Sequence, residues 1–115
     1  MNNELIEMDA MREAAQSACA LMKVLANPDR LLLLCELAQG ERNVGELEGA
    51  VGISQPTLSQ QLAVLREAGV VETRRDGKSI YYRIASDQAL AVLQVLYDQF
   101  CEPARPTRAA RKSRP

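Results

Sequence analysis

From Asn43 to Ile84 the chain reads NVGELEGAVGISQPTLSQQLAVLREAGVVETRRDGKSIYYRI. Its periodicity changes twice. Asn43 with Glu46 three residues later fits a capping box, which predicts a short helix to about Val51. Gly52-Ile53-Ser54 then reads as a tight turn, with Ser54 capping a second helix and Pro56 inside its first turn. Leu58, Leu62 and Leu65 give that helix one buried face, and Gly69 ends it. Beyond Gly69 the pattern turns β-prone. Val70–Arg75 and Ser79–Ile84 read as two strands, with Asp76-Gly77 as the hairpin signal between them.

Working outward, Asn27-Pro28 is a cap followed by a first-turn proline. It opens a helix from Asp29 to about Gln39, stopped at Gly40. Leu31, Leu32, Leu33, Leu34 and Leu37 make that helix apolar nearly all round, so burial on most sides is expected. Before it, Met11, Ala15, Ala18, Met22 and Leu25 recur at helical steps within Leu5–Leu25. After Ser86 a last helix carries Leu93, Leu96, Tyr97 and Phe100 on one side and ends at Glu102-Pro103. The fold class is therefore mainly α with a β-hairpin (α+β), in the order ααααββα. Residues 1–102 form one domain, and residues 103–115 read as a disordered basic tail.

Charge sharpens this reading. The formal net charge is −1, with 14 basic and 15 acidic residues. Five basic residues (Arg105, Arg108, Arg111, Lys112 and Arg114) lie in the tail, so the body is acidic. Yet Ser54–Ile84 carries Arg66, Arg74, Arg75, Lys78 and Arg83 against Glu67, Glu72 and Asp76. A contact surface is decided by local charge rather than by the chain total. The tail has two readings: a solvated end, or a source of added phosphate contacts.

Two short helices joined by a glycine-containing turn are a helix-turn-helix candidate. The second helix would present Gln55, Thr57, Ser59 and Gln60, with Gln61 beside them, to the major groove. Amides pair with adenine, and Ser54, Ser59 and Thr57 suit bases or phosphates. The hairpin, tipped by Arg74, Arg75 and Lys78, would reach flanking phosphates or the minor groove, with Arg66 adding charge. Together they predict a winged helix-turn-helix.

Other classes are disfavoured. The chain has no histidine, which removes His-based metal sites, nucleophile pairs and acid–base catalysis. There is no long apolar run and no secretory leader pattern, so a cytoplasmic location is expected. Three cysteines (Cys19, Cys35 and Cys101) argue against a structural disulfide framework. Enzymatic activity and a bound cofactor are not expected.

Leu25-Ala26-Asn27-Pro28-Asp29-Arg30-Leu31, Val44-Gly45-Glu46-Leu47, Ser54–Leu62 and Leu65–Val71 together resemble the ArsR/SmtB family of bacterial transcriptional regulators. The resemblance covers roughly residues 10–101. It implies a homodimer built from the first and last helices, a double-stranded operator with an inverted repeat, and repression relieved by a chemical signal.

The family's histidine-containing zinc site cannot be assembled here, and its two-cysteine site is reduced to Cys35 alone. Cys35 with Cys101 is instead similar to the sulfide- and persulfide-sensing branch, the SqrR/BigR-like and HlyU-like regulators. That resemblance implies that Cys35 and Cys101 are a sensing dithiol, bridged by reactive sulfur species. The residues alone leave both open to a plainer reading as small packed hydrophobes, Cys35 above all, and Cys19 reads as interface packing. A soft-metal or oxidant-responsive regulator, and a thiol-independent antagonist of gene silencing, remain alternatives.

Overall fold

The computed structural model describes residues 4–101, so the basic tail lies outside the described residues. Five helices and three strands follow in order: α1 (Glu4–Leu25), α2 (Pro28–Leu37), β1 (Arg42–Asn43), α3 (Val44–Val51), α4 (Thr57–Glu67), β2 (Val71–Asp76), β3 (Ser79–Ile84) and α5 (Asp87–Phe100). The core is leucine-rich. Leu33 and Leu34 of α2, Leu47 of α3, and Leu58, Leu62 and Leu65 of α4 are all but fully buried. Their packing fixes α4 against the rest, because interiors this dense tolerate little sliding.

The local signals explain the helix starts. The Arg30 amide donates to Asn27 Oδ1 at 3.1 Å. Asn43 and Glu46 form the reciprocal capping box, at 2.8 and 2.9 Å. Gly52 ends α3 with φ +72°, a left-handed backbone that favours glycine.

The second helix of the helix-turn-helix differs from expectation. It starts at Thr57 with Pro56 at its cap position, and no side chain caps it, so Ser54 does not serve. A residue preceding proline is disfavoured in helical backbone, which keeps Gln55 outside α4.

The hairpin also shifts by one residue. Asp76 pairs with Ser79, leaving Gly77-Lys78 as the two-residue turn, with φ +66° at Gly77. Glycine at the first turn position suits the right-handed twist of the strands. A third strand, β1, joins the far side of β3, giving the order β1-β3-β2. Two residues are too few to carry a period, so the sequence gives no sign of β1.

Much of the expected apolar surface stays open. Among the described side chains of α1, only Leu25 is buried, while Met11 is 62% and Met22 is 55% exposed. On α5, Ala89 and Leu93 face the core, but Phe100 is 80% exposed. On α2, Leu33, Leu34 and Leu37 face inward, whereas Leu32 and Cys35 are exposed, so burial on most sides does not hold. No described helix is long and apolar enough to cross a membrane.

Candidate nucleic-acid interface and thiol pair

Packing decides which side chains α4 can offer. With Leu58, Leu62 and Leu65 inward, the helix presents Ser59 and Gln60 to solvent, and Arg66 is exposed near its end. Ser54 and Gln55 are exposed just ahead of it, and Thr57 is half-buried. The Ser59 hydroxyl donates to Gln55 Oε1, so the loop amide is oriented by the helix. Gln61 points elsewhere: it is half-buried and accepts from Arg30 of α2 at 2.9 Å.

The wing places its cations unequally. Arg74 and Tyr81 are cross-strand partners, and the guanidinium lies 4.7 Å from the ring centroid. Arg74 also pairs with Glu41, which precedes β1, and more loosely with Asp76 at 3.7 Å. Arg75 and Lys78 are exposed and form no ion pair with a described residue. Arg83 is held by Glu72 across the hairpin.

The thiol pair lies on a different face. Cys35 lines a groove of about 550 Å³ between α2 and α5, with Leu90, Leu93, Gln94 and Tyr97 as the α5 wall. The Cys101 amide donates to the Tyr97 carbonyl at 2.8 Å, so Cys101 sits one turn beyond that wall. Although Cys35 reaches solvent, the groove around it desolvates the thiol and raises its pKa, and the charge of Cys101 raises it further. All three cysteines are free and exposed, Cys19 among them. No cluster of three Cys, Asp or Glu side chains suited to a metal ion occurs among the described residues.

Residues 27–73 match the bacterial regulatory protein arsR family. The chain is 55% identical over 98 residues to the biofilm growth-associated repressor of Agrobacterium fabrum, covering 85% of this chain and 84% of that protein. This chain belongs to the arsR family.

Solved structures of similar regulators agree in architecture. The crystal structure of the transcriptional repressor BigR from Xylella fastidiosa superposes with a TM-score of 0.77 at 49% identity, covering 83% of this chain and 97% of that one. The homodimeric winged helix-turn-helix DNA-binding domain of Mb0332 from Mycobacterium bovis gives 0.66 at 38% identity, covering 79% and 87%. This arsR-family chain is accordingly a winged helix-turn-helix transcriptional regulator and not an enzyme. Two of its residues escape sequence reading, Glu41 and Arg30. Each acts on a partner about thirty positions away, a separation that no local pattern records.

Proposed function

We propose that this regulator is a homodimeric repressor that binds an inverted-repeat operator in double-stranded DNA and releases it when reactive sulfur bridges Cys35 and Cys101. The carrying observation is the shared groove: Cys35 on one wall, Tyr97 on the other, and Cys101 one turn past Tyr97. In this reading Gln55, Ser59 and Gln60 meet base edges. Ser54, Thr57, Arg66, Arg75 and Lys78 meet phosphate, joined by Arg74 once it leaves Glu41. Open apolar faces on α1 and α5 supply the dimer contacts, and two-fold symmetry sets two α4 helices on successive major grooves. A cytoplasmic location follows.

The chemistry balances without a further oxidant. A cysteine thiolate attacks the outer sulfur of an organic persulfide, R–S–SH. The S–S bond breaks, R–S⁻ leaves, and the protein holds Cys–S–SH. The second cysteine thiolate attacks the inner sulfur and expels HS⁻, giving a disulfide. If the second cysteine is itself persulfidated, the same attack gives a trisulfide. The persulfide is reduced and the two thiols are oxidised. A bridge would draw the end of α5 onto α2 and shift one DNA-reading head relative to the other. Operator release then needs the bridged state to bind DNA more weakly.

The test uses a duplex enriched from a random library by the reduced protein. Anisotropy titration should show weaker binding after treatment with a persulfide donor. Cys35→Ser and Cys101→Ser should bind as the reduced protein does and ignore the donor. Equal affinity of reduced and treated protein would refute the switch. A stronger response to arsenite or peroxide than to persulfide would transfer the site to a metal or general oxidant signal.

A further inference from the structure

Arg30, in the first turn of α2, meets no carboxylate among the described residues. Its Nε donates to the Val24 carbonyl at 2.6 Å and its Nη2 to the Lys23 carbonyl at 3.2 Å. Both carbonyls belong to the last turn of α1, where a helix leaves its acceptors without intrahelical partners and its dipole favours a cation. The third arm, Nη1, donates to Gln61 Oε1 of α4 at 2.9 Å. One planar guanidinium therefore joins the end of α1, the start of α2 and the middle of α4. A lysine could not do this, because the fork geometry belongs to arginine alone.

We propose that Arg30 is the positioning residue of the DNA-reading helix. Through Gln61 it fixes α4 to the end of α1, and so sets how the exposed face of Ser59 and Gln60 is presented relative to the helix bearing the dimer contacts. Gln61 serves as the acceptor in this clamp and does not read a base. The proposal rests on α4 being the helix that enters DNA.

The experiment compares wild type, Arg30→Met, Gln61→Met and the double variant on two probes: the library-selected duplex and a scrambled duplex of equal length. Each single variant should lose about tenfold on the selected duplex. Binding to the scrambled duplex, which depends on phosphate contacts, should stay within about twofold. The double variant should be no worse than the weaker single one. Arg30→Lys, which keeps the charge without the fork, should behave like Arg30→Met and takes its place if that variant does not fold. Losses that multiply in the double variant would overturn the clamp, and so would wild-type affinity in the Arg30 variants. A change of preference confined to one base pair in Gln61→Met would overturn it as well, by making Gln61 a direct reader. A wild-type chain that enriches no duplex would instead remove the DNA reading itself, and the proposal with it.

Discussion

Glu41 grips Arg74 with both carboxylate oxygens, Oε2 at 2.8 Å from Nε and Oε1 at 2.8 Å from Nη2. The hydrogen bond and charge of Arg74 hold the Glu41 carboxyl below its ordinary range. The pair is fully formed above the usual carboxylate range and is lost as pH falls through the depressed value. NMR titration should therefore place Glu41 below an ordinary glutamate, and Arg74→Ala should bring it back up. In the proposed DNA-bound state, phosphate would compete with Glu41 for the same guanidinium. Glu41→Gln should then bind DNA up to about fivefold more tightly, the scale of one exposed ion pair. Weaker binding by Glu41→Gln would mean that Arg74 serves DNA only while held.

The Cys35 thiol is raised first by burial and second by Cys101. At neutral pH it is held protonated, so its alkylation should be slow and should accelerate as pH climbs through and beyond the ordinary thiol range. Cys101→Ser should move this profile toward lower pH without restoring it fully, since burial remains. Iodoacetamide rates followed by mass spectrometry in a Cys19→Ser background measure this. A profile indifferent to Cys101 would show that the two sulfurs do not communicate.

The exposed cations and the exposed amide of the proposed DNA face should separate in kind. Arg75→Ala and Lys78→Ala should each weaken binding to all duplexes alike and lower the salt slope by about one. Gln60→Ala should keep the slope and relax preference at one position, by about 1–3 kcal/mol of discrimination. Salt-dependent anisotropy on selected and scrambled duplexes tells these patterns apart.

The capping box stabilises the first helix of the helix-turn-helix. Asn43→Ala removes the acceptor for the Glu46 amide, and should cost about 1 kcal/mol in urea unfolding. Glu46→Ala in the same background should add little, because the two bonds are reciprocal. Full additivity would mean that the box is not a unit.

The elements legible in the sequence were those whose cause is local. Asn27, Asn43, Gly52 and the leucines of α4 each act within a turn or two of their own position, and all behave as their spacing predicts. Ser54 misled because proline two residues on keeps Gln55 out of the helix, a restriction stronger than a good capping residue. Cys35 among leucines reads as core, yet i+3 from Leu32 it falls on the open side of α2. Gln60 and Gln61 are identical in type and adjacent, and only tertiary packing sends one to solvent and the other to Arg30. The wing charges were legible as a cluster. That Glu41 had already engaged Arg74 depends on β1 packing beside β3, and β1 has no sequence signal of its own.

Among the described side chains of α1, only those of its last turns seat in their own protomer, with Leu21 and Val24 partly covered and Leu25 buried. In the dimeric reading, the helical order of its N-terminal turns is governed by mass action. Dilution would melt those turns together with the dimer, and an operator duplex would restore both. The copy number of the regulator then sets a floor for its own folded integrity, independently of any sulfur signal.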